Sequence, residues 1–314
     1  MDKLKFAFYW AASCGGCEIA VLDVNEKILD VVKIADIVFW PVALDVKYND
    51  VEAMPDMSID VCFFNGAIRN KENEYMAKLL RRKSKTLVAF GSCAHEGCVI
   101  SLANLWDREA VFRRVYSETP STENPEAVQP ETSLKVKEGE LELPEFYNTV
   151  RTLDQTVDVD YYLPGCPPQP PLIVEAIEAI AKNRLPPKGS VLGPKKSVCD
   201  ECYRKKKDRK LSKINRIYEI EDDGETCFWD LGVPCMGPAT RGGCGAQCLQ
   251  VNIPCTGCQG PGPNVKEQGS AMITALSSIM VDEKVTDQLV DPIGTFYKYS
   301  LAHSILRRRR LKSK

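Results

Sequence analysis

The sequence predicts an α/β protein: a parallel sheet covered by helices on both faces, followed by an irregular region that folds around metal. Three observations carry this. Short apolar runs alternate with stretches of helical spacing through the first half of the 314 residues. The rhythm stops near residues 184–194, where Pro186, Pro187, Gly189, Gly193 and Pro194 gather. Beyond the stop, residues 199–258 hold eight of the fourteen cysteines and show little periodicity. Alternating strand and helix patterns imply a parallel sheet buried on both faces. A cysteine-dense segment without apolar periodicity cannot build a conventional core and is expected to fold around its metals.

The elements follow in chain order. Leu4–Trp10 is apolar and aromatic and reads as the first strand. Residues 18–32 put Val21, Leu22, Ile28, Leu29 and Val32 at helical spacing. Further strands are expected at residues 36–41, 59–66, 86–91 and 157–163. Between the third and fourth, residues 70–82 are polar and helix-forming. After the fifth, residues 171–183 align Leu172, Ile173, Ala176, Ile177 and Ile180 on one helical face. Residues 118–143 are rich in Glu, Pro, Ser and Thr and read as a surface insertion. Residues 271–280 suggest one more helix. The expected division is a sheet domain over residues 1–190 and a cysteine-rich domain over residues 191–314.

Composition narrows the function. The net charge of −2, with 44% apolar and 27% charged residues, offers no field for nucleic acid. No window of about 18 uncharged apolar residues is present, so no membrane span is expected. The start, MDKLKFAFYW, lacks a secretory leader and a twin-arginine signal. The expected compartment is therefore the cytoplasm, where stable disulfides are uncommon. Metal ligation becomes the leading explanation for the cysteines.

Their positions support it. Cys14 and Cys17 in CGGC, Cys93 in GSCA and Cys166 in PGCPP each follow an expected strand. Open parallel sheets bind ligands outside the carboxyl ends of their strands. Three strand ends thus deliver four thiolates to one edge, the usual complement of a [4Fe–4S] cluster. The second region supplies Cys199, Cys202, Cys227, Cys235, Cys244, Cys248, Cys255 and Cys258, enough for two further four-cysteine sites. By spacing alone these suit either iron–sulfur clusters or tetrahedral zinc.

Taken together, CGGCE, GSCA, PGCPP and the stretch CMGPATRGGCGAQC…PCTGCQGPGP resemble the small subunit of [NiFe]-hydrogenases through most of residues 5–263. That resemblance implies a flavodoxin-like first domain whose Cys14, Cys17, Cys93 and Cys166 hold a proximal cluster. It implies an outermost cluster on Cys199, Cys202, Cys227 and Cys235, and a medial one on Cys244, Cys248, Cys255 and Cys258. Periplasmic members usually carry histidine at the position of Cys199 and only three cysteines at the medial site. Cys199 and Cys248 here imply three [4Fe–4S] clusters and look like the cytoplasmic, F420-non-reducing (methyl-viologen-reducing) type. Such an enzyme oxidises hydrogen at a nickel–iron site on a large subunit. It passes electrons through the small subunit to a [2Fe–2S] subunit and heterodisulfide reductase. This chain would supply no catalytic residue and be silent alone. An NADP-linked sulfhydrogenase small subunit shares the CxGPxTRxGC pattern and is the alternative; a zinc-stabilised scaffold is another. The chain also distantly resembles the cluster-bearing subunit of respiratory complex I, from which CGGC and the long cysteine-rich tail set it apart.

Other residues carry weaker signals. Cys62, in the middle of a strand, reads as a small buried hydrophobe. Cys98, five residues after Cys93, is an alternative fourth proximal ligand. Glu18 reads either as a polar residue at a partner interface or as a first-turn acid complementing the helix dipole. His95 reads as a donor to a cluster sulfur or as a satisfied loop histidine, and His303 carries no signal. The basic runs at residues 204–210 and 307–310 read as a dock for an acidic partner or as solvated faces.

Overall fold

The computed structural model describes residues 3–207 and 210–307. Its centre is a six-stranded sheet of Leu4–Trp10, Ala35–Phe39, Ile59–Asn65, Ser84–Phe90, Tyr161–Leu163 and Ser190–Val191. Every pairing in it is parallel. Numbered along the chain, the strands lie in the order 2-1-3-4-5-6. The first five reproduce the flavodoxin-like order, with the switch point beside the first strand. The sixth strand spans the point where the two domains were expected to divide.

Alternation of side chains splits the core into two layers. Phe6, Phe8, Phe63, Val88 and Phe90 face one side, packed by Val21, Val31 and the helix Pro170–Ala181. Ala7, Tyr9, Cys62, Phe64 and Leu87 face the other, against Met76, Leu79 and Leu80 of the helix Lys71–Lys83. Each fully buried large side chain contributes about 1.5–3 kcal/mol. The helix Lys71–Lys83 is capped by Asn70, whose side chain accepts from the Asn73 amide. Its acidic first turn and basic last turn complement the helix dipole.

The structure departs from the sequence reading in three places. The helix expected over residues 18–32 is broken into Gly16–Leu22, a 3-10 turn Asn25–Lys27 and Ile28–Ile34. Asn25, at φ +53°, interrupts it. Val21, Val24 and Val31 turn inward, while Ile19, Leu22 and Leu29 stay exposed. The insertion at 118–143 lies on the surface as expected, but contains an exposed hairpin of Ser133–Val136 and Gly139–Glu142. The helix Tyr48–Ala53 and the antiparallel pair Ile68–Asn70 with Phe146–Arg151 carry no strong periodicity and were not expected.

The cysteine-rich region does have an apolar core. Val198, Phe228, Met236 and Leu249 pack with Met272 and Leu276 of the helix Gln268–Ile279, and with Phe296 and Leu301. The apolar side chains missing from residues 199–258 come from downstream. Among the described residues no helix is long and apolar enough to cross a membrane.

Candidate metal centres

The first group of thiols forms at the carboxyl edge of the sheet. Cys14 and Cys17 flank the start of the helix Gly16–Leu22, entered through Gly15 at φ +82°. The Gly16 amide donates to Cys14 Sγ at 3.4 Å. Cys93 sits in the short helix Ser92–Glu96 after the fourth strand. Cys166 follows the fifth strand, ahead of a cis Cys166–Pro167 bond. The two strand ends are tied by Gly91 N to Leu163 O and Ser92 N to Gly165 O, both 2.8 Å. Gly91, at φ +83°, leaves the space that Cys17 uses: a Cβ there would lie 2.3 Å from Cys17 Sγ. Burial, then the charges of Cys166, Glu18, Cys14 and Cys98, push the Cys17 thiol upward. Metal binding reverses such shifts, because a ligating thiol is deprotonated outright.

A fifth thiol joins this group. Cys98 is buried, with Sγ 3.5 Å from Cys166 Sγ. The strand-end rule favours Cys93 and passes over Cys98, because the turn that carries it back begins only after the helix Ser92–Glu96.

Cys199, Cys202, Cys227 and Cys235 line one cavity, together with Arg204, Lys206, Trp229 and Gly237. The Ser197–Asp200 capping box fixes the turn carrying Cys199. A Cβ on Gly237 would lie 3.1 Å from Cys199 Sγ and 3.7 Å from Cys235 Sγ. Burial pushes Cys199 up to about 12 and Cys235 up to about 11.

Cys244, Cys248, Cys255 and Cys258 form the third group. Burial and then Cys244 push the Cys258 thiol up to about 12, with Cys166 and Cys248 adding to it. Burial and then Cys235 push Cys255 upward, with Cys258 contributing. The Cys255–Cys258 loop also bonds to the segments that carry both other groups. Ser92 Oγ donates to Cys258 O at 2.6 Å, and Met236 N donates to Cys255 O at 2.8 Å. The donors in each group are soft thiols; the first group gathers against a glycine that a Cβ would block, and the Cys199 group lines one cavity. This chemistry fits iron–sulfur clusters. Among the described residues, no group of three or more His, Cys, Asp or Glu side chains is drawn together closely enough to hold a single metal ion.

The remaining candidates resolve as follows. Cys62 is fully buried in the sheet core. Glu18 lies in a first helical turn, but its side chain is buried. It accepts from Trp40 Nε1 and, at 3.3 Å, from Asn65 Nδ2. Burial raises its carboxyl and these two bonds oppose the rise. His95 packs against Tyr162, the rings tilted by 36° with centroids 4.6 Å apart, and lies near Glu96 and His303. Burial holds its imidazole down to about 3, so it is neutral. His303, silent in the sequence, meets Asp154 Oδ2 at 3.3 Å and Glu96 Oε2 at 3.6 Å. Within the first basic run, Arg204 is not a surface charge: its side chain is fully buried and pairs with Asp222. Lys205, Lys206 and Lys207 are exposed. Positions 208–209 and 308–310 of the basic runs lie outside the described residues.

Comparison with known proteins adds the relatives. The family described as "NADH ubiquinone oxidoreductase, 20 Kd subunit" matches residues 14–180. The iron-sulfur subunit of the F420-non-reducing hydrogenase of Archaeoglobus profundus is 44% identical over 319 aligned positions, covering 98% of this chain and 99% of its own. A subunit of the F420-non-reducing hydrogenase of Methanothermobacter marburgensis is 34% identical, covering 97% and 96%. A chain of an NAD+-reducing [NiFe]-hydrogenase, solved in the H2-reduced state, superposes with a TM-score of 0.50 at 26% identity. That superposition covers 59% of this chain and 94% of the other.

Proposed function

This chain belongs to the family of F420-non-reducing hydrogenase iron–sulfur subunits, and we propose that it is the electron-transferring small subunit of a cytoplasmic [NiFe]-hydrogenase, an oxidoreductase acting on hydrogen. In this reading residues 1–190 carry a proximal centre and residues 191–314 carry two outer ones. Cys14, Cys17, Cys93 and Cys166 hold the proximal [4Fe–4S] cluster. Cys244, Cys248, Cys255 and Cys258 hold the medial one, and Cys199, Cys202, Cys227 and Cys235 the distal one. When bound, such clusters accept and release single electrons. The chain would connect hydrogen oxidation on a large subunit with a [2Fe–2S] subunit and heterodisulfide reductase.

The observation that carries the proposal is the position of the Cys255–Cys258 loop. One end of it contacts the sheet edge through Ser92, and Cys255 O meets the Cys235 turn through Met236. These contacts support the reading in which the Cys244 group adjoins both other groups and stands between them. A scaffold that used its cysteines only for stability would have no need of such an order. Trp10, at the end of the strand that leads to Cys14, and Ile19, beside Cys17, are exposed apolar side chains suited to contact with a large subunit.

The test is anaerobic purification of the native complex. A brown protein with about twelve irons per chain of this type, together with a nickel-containing large subunit, is the expected result. The co-purifying redox proteins identify the acceptor. A colourless chain with stoichiometric zinc would overturn the proposal.

A further inference from the structure

The turn that carries Cys258 is clasped by a single buried amide. Gln268 is only 1% exposed and opens the helix Gln268–Ile279. Its Nε2 lies 3.0 Å from Gly257 O, 3.2 Å from Gly260 O and 3.0 Å from Thr240 Oγ1. The two carbonyls can only accept, and the Thr240 hydroxyl already donates to Met236 O at 2.6 Å. The end of Gln268 that meets them is therefore the donor end. Gly257 and Gly260 bracket Cys258 on left-handed backbone, at φ +100° and +71°. A Cβ on Gly257 would come within 3.1 Å of the same nitrogen, so glycine lets the amide approach. The start of the helix aims the side chain. Glu267 caps it, accepting from Ser270 N at 2.7 Å, and Gly269 lies against Tyr297, whose ring occupies the space a Cβ would need.

We propose that Gln268 is a positioning residue for the medial centre: by holding the two carbonyls that bracket Cys258, its amide keeps that ligand in the Cys244 group and its carbonyl against Ser92. This rests on the assignment of Cys244, Cys248, Cys255 and Cys258 to one cluster. Outer partners of this kind orient the ligands of metal sites. Each of the two carbonyls has one further donor, Gly260 N on Gly257 O and Arg241 N on Gly260 O, both at 3.1 Å. The turn therefore still forms without the amide, but it opens locally at lower cost. On its other side Cys258 O accepts from Ser92 Oγ, next to Cys93. A looser turn thus frees the iron on Cys258 first and slackens the contact between the first and third groups.

The experiment follows the medial centre of the anaerobically purified complex during timed exposure to ferricyanide. Electron paramagnetic resonance of oxidised samples reads the three-iron form, and the same samples after reduction read the other two clusters. Gln268→Met keeps the length of the side chain and removes the donor. In it the three-iron signal should appear about tenfold faster than in wild type, the scale of one or two lost neutral hydrogen bonds. The proximal and distal signals should decay at the wild-type rate. Gln268→Asn keeps an amide but withdraws it by one methylene; it should shift in the same direction, and it decides the matter if the methionine variant does not assemble. A wild-type rate in Gln268→Met would overturn the proposal. So would equal acceleration at all three clusters, or failure of both variants to assemble, either of which would make Gln268 a general folding residue. The parent assignment has its own control: Cys258→Ser must alter the medial signal, and an unaltered signal would sink that assignment whatever Gln268 does.

Discussion

Replacing Arg204 by methionine should loosen the Cys199 centre without touching a cysteine. The guanidinium is fully buried and makes two bonds to the Asp222 carboxylate, at 2.8 and 2.6 Å. It makes two more, at 2.8 Å each, to Thr226 O and Asn252 Oδ1, and lies 3.9 Å over the Phe228 ring. These bonds pin the strand of chain after Cys202 to the turn before Cys227, two of the four thiols in one cavity. Breaking a buried pair by removing one partner costs about 3–5 kcal/mol. Asp222 keeps 15% of its side chain exposed, so water relieves part of its charge and the lower end, about 3 kcal/mol, applies. If iron leaves this centre through local opening, its loss to a chelator should speed up about a hundredfold. The assay is chelator-driven iron release from the purified complex, followed by the decay of visible absorption. Asp222→Asn in the same background should recover part of the loss, since the two sites share one interaction. A rate within about threefold of wild type, the scale of an exposed ion pair, would refute the reasoning.

Gly91→Ala should cost the complex one cluster, because the new Cβ meets Cys17 Sγ at 2.3 Å on a backbone at φ +83°; iron analysis and the proximal resonance signal check this. Cys248→Ser should spare the fold and leave a three-iron cluster detectable in the oxidised state, and an unaltered spectrum would remove Cys248 from the ligand set. Raising the pH should weaken the docking of the segment around His303. The Asp154 contact and then Glu96 hold the His303 imidazole up to about 9, against the opposing effect of burial. A raised folded value means that this contribution is complete below the ordinary histidine value, about 6.5, and is lost as pH rises through about 9. Hydrogen exchange in residues 297–304 should therefore quicken between those limits beyond its intrinsic pH dependence, and His303→Gln should flatten the change.

Where each element was legible depends on how local its cause is. The strands were readable because buried parallel strands are continuous apolar runs, as in Ile59–Asn65. The end of the first helix was not, since one left-handed residue, Asn25, breaks a spacing that otherwise continues. The helix Tyr48–Ala53 buries only Val51 and so leaves almost no periodic trace. Ile68–Asn70 finds its partner strand far along the chain, and no local pattern announces such a pairing. The strand-end positions of Cys14, Cys17, Cys93 and Cys166 pointed to the carboxyl edge of the sheet, where these cysteines lie. Cys98 was legible only as an alternative proximal ligand, because the turn that brings it back depends on contacts with Tyr299 and Ala302. Arg204 looked like part of a solvated charge run, because its partners Asp222, Thr226 and Asn252 are remote in sequence.

The segment Tyr299–Ala302 closes over the first thiol group from the far end of the sequence. Tyr299 O accepts from the Cys98 amide at 3.0 Å, Ala302 lies against Gly97, and Ala302 O accepts from Gln155 Nε2 at 2.8 Å. Domains form in order as a chain leaves the ribosome, so the sheet can be complete while this clamp is still being made. A fragment ending before Tyr299 should accordingly fold its sheet yet lose iron from the first group faster than the full chain. In the cell, the sheet edge with its thiols would stand open through the synthesis of the whole cysteine-rich region, and closure would have to wait until residues 299–302 arrive.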